Sequence, residues 1–267
     1  MGNRRCQMGW RYAANTCNYR FYSYRILESQ HSDLWCLCRR CSMRCSNGLR
    51  AAAGNQGIEL PAIGDAFEGG YYAGLISHTA NGVPTHALIV APRATGATGP
   101  GYTLTTYREF GGPGAAGPAL DSPYDGIANI NQIKAVDFIS NYGAANFCDT
   151  LVTGGFSDWY LPARYELDIA YENLKPTTTV NQTSFGINPY SVPERTVNRT
   201  ASVPARTSLT AFQLGGTQAF VDVFHFTSTR SLINVTETYT VSFLDGFEGD
   251  VGNAISAHVR AFRRVAL

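Results

Sequence analysis

Four cysteines lie within ten residues of this 267-residue chain, Cys36-x-Cys38-x2-Cys41-x3-Cys45, its densest set of side chains able to ligate a metal. Thiolates at that density would hold zinc. Zinc sites, however, pair two Cys-x2–4-Cys knuckles across a longer loop, so that the chain wraps a tetrahedron from two sides. Here all four fall in one run, and the spacing fits no such site. With Cys6 and Cys17 they make six of the seven cysteines within the first 45 residues, so a disulfide cluster is the second reading. No secretory leader is expected to support it, since Arg4 and Arg5 are followed by no continuous apolar segment. The third reading is that residues 1–50 have no stable fold of their own. Their Arg-, Cys- and Trp-bearing composition changes abruptly near Gly48, as it would with a misassigned start or a shifted frame.

Beyond the arm, the residue types that do acid–base or nucleophilic work are scattered. His78, His86, His225 and His258 show no Cys-His or Ser-His-Asp spacing. Cys148, flanked by Phe147 and Leu151, reads as a small core residue rather than a nucleophile. Asp245, Glu248 and Asp250 share a glycine-rich turn, and oxygen ligands of that kind suit a hard cation such as calcium. The competing reading is a solvated acidic turn, and no metal or other cofactor is assigned. The expectation is a protein that is not an enzyme.

Charge is split along the chain. Residues 1–50 carry nine arginines against Glu28 and Asp33, a local +7, which leaves −6 on the rest of a chain of net +1. A basic arm on an acidic body raises nucleic-acid contact. The aromatic and cysteine content of the arm speaks against it, and no nucleic-acid partner is expected. No run approaches the roughly 18 apolar residues of a membrane span, so no membrane insertion is expected. Charged residues, at 15%, fall well below the usual quarter or so. With 27 glycines and 15 tyrosines, that composition suits a loop-rich, β-containing protein.

The elements that must position these residues become coherent from Ile63 onward. Gly69–Ser77 and Thr85–Ala91 read as two strands joined through Asn81-Gly82, a strong hairpin signal, with Pro92 stopping the second. Residues 93–123 are rich in Gly, Ala, Thr and Pro without a Gly-X-Y period. They read as a long surface loop with a short strand at Tyr102–Tyr107. Ile127, Ile130, Ile133, Val136 and Ile139 give a helical period over Asp125–Asn141, and Gly143–Leu151 reads as a second short helix. Next comes Asp158-Trp159-Tyr160-Leu161-Pro162, with Pro162 suited to the first turn of a helix. In that helix Leu167, Ala170, Tyr171 and Leu174 form one buried stripe, and Glu166, Asp168 and Glu172 fall on the other side or in the favoured first turn. A polar loop over 177–208 follows, then strands at Phe224–Thr229, Glu237–Phe243 and Ala257–Val265.

Three of these segments carry a resemblance: Asp158–Pro162 with Glu166-Leu167, His225-Phe226-Thr227-Ser228-Thr229, and Val259-Arg260-Ala261-Phe262-Arg263-Arg264-Val265. They resemble the Lcl-type C-terminal domain family, the globular heads of collagen-like bacterial adhesins and of many phage proteins. The similarity runs from about Ile63 to the C-terminus. It implies an α+β, C-type lectin-like fold: a small twisted antiparallel sheet, two or more helices and long loops. The expected organisation is an arm over 1–55, disordered or not native to the fold, and an Lcl-type domain over 56–267.

The implied function is non-catalytic recognition by a phage tail-fibre or adhesin-type domain, on a virion or at a bacterial cell surface. Its partner would be a host-surface glycan or protein, and homo-oligomers or contacts with other virion proteins are also implied. The binding face is placed on the loops around 230–257, with Arg230, Asn234, Thr236, Tyr239, Phe247 and Asn253 as ligand-binding residues. Trp159, Leu161, Pro162, Glu166, Phe226, Ser228, Arg260 and Arg264 form the structural motif, with Asp158 or Glu166 as carboxylate partners of the two arginines. The chain departs from the family at Arg230, where members carry Glu, and little of 230–257 follows the family pattern. That stretch is read as drift or as a diversified region. A structural virion or oligomerisation domain is the alternative, and a relative of formylglycine-generating enzymes the last.

If residues 1–50 stand outside the working domain, the full chain and a chain truncated to 55–267 will melt at the same temperature by calorimetry. A large loss on truncation overturns that reading.

Overall fold

The computed structural model describes residues 58–98, 120–252 and 257–267, together with three short strands nearer the N-terminus. The chain divides into two units, Met1–Gly57 and Ile58–Leu267. In the first, β1 (Phe21–Tyr24), β2 (Leu34–Arg39) and β3 (Ser42–Arg44) pair antiparallel in that order. The expectations for the cysteine run, and for an arm without a fold, otherwise lie outside the described residues. So does the strand expected at 102–107.

The second unit is α+β, with two antiparallel sheets. The first holds β4 (Ala66–Phe67), β5 (Gly70–Ile76), β6 (His86–Val90) and a final strand, β11 (Phe262–Ala266), in the order β11-β6-β5-β4. The short β7 (Ser191–Val192) also pairs with β5. The expected hairpin is there: β5 and β6 pair antiparallel, Gly82 takes φ +74°, and the Asn81 Oδ1 accepts from the Val83 N–H at 3.0 Å. The second sheet runs β10-β9-β8, from β8 (Phe224–Arg230), β9 (Glu237–Ser242) and β10 (Glu248–Gly252). The acidic glycine-rich turn of the sequence is therefore mostly a strand. The helices are α1 (Arg93–Gly96), α2 (Gly126–Val136), α3 (Gly143–Asp149) and α4 (Arg164–Leu174).

One segment stitches these parts together. Ala257–Phe262 is wholly buried. The His258 carbonyl accepts from the Phe226 N–H at 2.9 Å, and its own N–H reaches the Phe224 carbonyl at 3.0 Å. Val259 pairs with Thr98, and Ala261 lies between Ala91 and Gly96. Phe262 exchanges both backbone bonds with Tyr160, at 2.8 and 2.9 Å. Pro162 closes the circuit, its carbonyl accepting from the Ser228 N–H at 2.7 Å. The three motif segments, distant in sequence, thus meet in one hydrogen-bond lattice. Phe226, Trp159 and Leu161 lie in the core beneath it.

α4 begins two residues later than expected: Ala163 is its N-cap, and Pro162 precedes it as part of the lattice. An alanine offers no capping oxygen, so the free N–H groups of the first turn find partners elsewhere. Arg164 N–H donates to Thr229 Oγ1 and Tyr165 N–H to the Pro123 carbonyl. Glu166 reaches back to the Ala163 N–H at 2.7 Å, as the acid of a capping box does. The same Oε2 accepts from Gly126 N–H at the start of α2, and Oε1 accepts from Tyr160 Oη at 2.6 Å. One carboxyl group therefore caps two helices. α4 packs on β5 where Gly74, at φ +138°, leaves room; a Cβ there would lie 2.6 Å from Asn173 Nδ2.

Burial pushes the pKa of Glu166 up to about 7, against the hydrogen bonds from Tyr160 and Ala163, which favour the charged form. A raised folded-state pKa contributes stability that is full below the unfolded value near 4.5 and fades as pH rises through about 7. Glu166→Ala leaves two buried N–H groups orphaned and will cost roughly 2–5 kcal/mol in urea denaturation. Glu166→Gln keeps an acceptor, will cost far less, and will flatten the stability profile between pH 4.5 and 7. Equal losses in the two variants would refute the double-cap assignment.

Candidate binding face

The expected stripe of α4, Leu167, Ala170, Tyr171 and Leu174, is buried. The expected solvent side is not exposed: Glu166 and Asp168 are buried and Glu172 is half-buried. The irregular loop over 177–208 lies across that side and brings two arginines to it. Arg199, fully buried, donates to Asp168 Oδ1, to Glu172 Oε1 at 2.6 Å and to the Gly246 carbonyl at 2.6 Å, and lies 3.3 Å from Glu248 Oε1. Arg195 takes Asp168 Oδ2 and Glu172. Arg164 holds the other oxygen of Glu248 at 2.8 Å. Three guanidinium groups thus face three carboxylates, and Arg199 also lies over the Tyr171 ring at 4.7 Å.

Desolvation works against the charge on Arg199, but Asp168, Glu248 and Glu172 outweigh it and hold the guanidinium above its ordinary pKa. Burial, with Asp168 close by, raises the Glu248 carboxyl. Such a network is poor stabilisation against a hydrophobic substitute but costly to break.

At the edge of this network runs a connected row of half-buried rings. Tyr124 stacks on Tyr190 at 4.2 Å, and Tyr190 on Tyr165 at 5.4 Å. The Arg164 guanidinium lies 5.3 Å from the Tyr165 ring and 4.5 Å from the Tyr239 ring, bridging the two. At the other end His78 meets Tyr124 edge-on at 5.3 Å and packs on His86 at 4.5 Å. Asp125 caps α2 through the Ala128 N–H and pairs with Arg264 at 2.7 Å. Burial and the Arg264 charge push the pKa of His78 down to about 4, so this end carries a neutral imidazole near pH 7.

The nominated binding residues do not form one cluster. Arg230 pairs with Asp121 at 3.0 Å. Asn234 and Thr236 hydrogen-bond to each other in the β8–β9 connection, where Leu232 and Ile233 stand exposed. Phe247 lies at the opposite end of the sheet, edge-on to Phe185 and Phe224. Tyr239 alone joins the tyrosine row, and Asn253 lies outside the described residues.

Asp245, Glu248 and Asp250 do not converge on one point. Asp245 caps its own turn and accepts from Gln182, Glu248 is held by two arginines, and Asp250 accepts from Ser231. Among the described residues no group of three His, Cys, Asp or Glu side chains is placed to hold a metal. One arginine pairing is also corrected. Arg264 takes Asp125 rather than Asp158 or Glu166, and Asp158 pairs with Arg263. Arg260 donates to the Ala91 carbonyl at 2.7 Å and lies over Phe220.

His225 and His258 face each other in the core, each with Nδ1 on a backbone carbonyl. Burial pushes His225 down to about 3. Cys148 is likewise core. Among the described residues no helix is long and apolar enough to cross a membrane.

No protein-family model matches the chain, and no curated protein matches it either.

Arg199→Met leaves Asp168, Glu172 and Glu248 short of a cation and will cost roughly 3–5 kcal/mol by chemical denaturation. It will also open the 177–208 loop to limited proteolysis. Arg199→Lys keeps the charge without the planar fork and will fall between the two. A loss below about 1 kcal/mol for Arg199→Met would mean that the network does not hold the loop.

Proposed function

We propose that the second unit is a non-catalytic recognition module of the Lcl-type, C-type lectin-like kind. In this reading it is displayed on a virion or a bacterial surface and binds a host-surface ligand. Support for the family comes from the backbone lattice that joins the Trp159–Pro162, Phe226–Ser228 and Arg260–Arg264 segments. The residues behind the resemblance are engaged in holding the fold together.

The observation that carries the function is the division of labour between interior and surface. The buried histidines, Cys148 and the acids of α4 are engaged in packing, capping or ion pairs. Rigidly held tyrosines border the surface instead, and such rings give large, amphipathic contact area at low entropic cost.

Biotinylated full-length protein, applied to whole bacteria and to a printed glycan array, will be retained saturably on at least one surface. No retention on any surface, together with stable homotrimers in sedimentation, would transfer the assignment to a structural virion domain.

A further inference from the structure

We propose that the row of Tyr124, Tyr190, Tyr165 and Tyr239 is the binding site for an uncharged glycan chain; this rests on the recognition reading above and names its ligand class. The first observation concerns hydroxyls. Three of the four buried tyrosines use theirs on the protein, Tyr160 on Glu166, Tyr171 on Asn181 and Tyr142 on Asp137, and Tyr72 is the exception. Among the described residues, the hydroxyls of the four row tyrosines have no protein partner, and none is a buried unsatisfied atom. None is sealed from solvent, so each is able to donate one hydrogen bond and accept others.

The second observation is that their rings are already fixed. Tyr190 lies between Tyr124 and Tyr165, and Arg164 bridges Tyr165 to Tyr239 while Glu248 holds its guanidinium. Binding therefore freezes few new rotamers. Because the rings cover one another's faces, what remains for a ligand is a line of ring edges and hydroxyls. A sugar chain, with C–H and O–H groups along its length, matches that line. A protein partner would place its anchors in apolar pockets instead.

Charge narrows the class further. The ions bordering the row are compensated, Arg164 by Glu248 and Arg264 by Asp125. Among the described residues of this unit the exposed cations are Lys134, which pairs with Asp149, and Arg206. A sulfated or carboxylated ligand would find no free positive charge along the row, whereas a neutral one needs none.

The test uses the full chain and four Tyr→Phe substitutions, at 124, 165, 190 and 239, singly and together. Each keeps the stacked ring and removes only a hydroxyl. Probes are neutral hexasaccharides of glucose, mannose, galactose and N-acetylglucosamine, with a heparin hexasaccharide as the anionic counterpart, read by saturation-transfer NMR and titration. At least one neutral probe will bind. Each single change will weaken binding about two- to tenfold, the quadruple variant will lose it, and Tm will not move.

Binding of heparin alone overturns the ligand class. Neutral binding that survives the quadruple change overturns the site, as does a large fall in Tm, which would make the hydroxyls structural. Retention on bacteria that disappears when the cells are treated with protease, with no saccharide bound, makes the ligand a protein; recognition then stands and this proposal falls. No binding to saccharide or to cells removes both.

Discussion

The second unit depends on one constraint: a short buried segment, Ala257–Phe262, that hydrogen-bonds in turn to Phe224 and Phe226, to Thr98, to Gly96 and Ala91, and to Tyr160. Backbone groups taken out of water must find partners. Here those partners lie in β8, just past the end of β6, around α1 and in the extended residues before α4, and Phe262 itself opens β11. The two sheets share no strand, so this segment defines where one lies against the other. Arg260 tightens the joint by donating to the Ala91 carbonyl while resting on Phe220.

A second layer of constraint is electrostatic. α4 is clad on nearly all sides, its apolar stripe by the sheets and its acidic side by an irregular loop. Burying Asp168 and Glu172 one turn apart on a helix would be unfavourable unless cations came with them. Arg195 and Arg199 bring those cations, and in doing so bind a loop with almost no regular structure of its own. The order of that loop thus comes from side-chain ions rather than from backbone ladders. Arg164 extends the same network outward and sets the spacing between Tyr165 and Tyr239.

What could be read from the sequence was local. Asn81-Gly82 between two apolar runs specifies the first hairpin, and the period of Leu167, Ala170, Tyr171 and Leu174 specifies which side of α4 is apolar. Both signals lie within a few residues of what they position. Helical periodicity equates charge with solvent and so misplaces the acidic side of α4, for which the counter-ions lie 27 and 31 residues downstream of Asp168 in a segment with no period at all. Pro162 suits the first turn by its type, while its carbonyl is held by Ser228 across the fold. The tyrosine row comes from four separate segments of chain. The sole hint of it was an overall count of fifteen tyrosines. Spacing cannot show which of them converge.

The hydroxyls of that row have a consequence for how the surface can change over time. A phenol oxygen that supports no other part of the protein is not maintained by selection for stability, because phenylalanine stacks as well. Mutation alone would exchange these four positions among aromatic residues without penalty to the fold. A lineage in which all four stayed tyrosine would therefore record selection acting from outside the molecule, while Arg164, Arg199 and Glu166 would persist whatever the protein met.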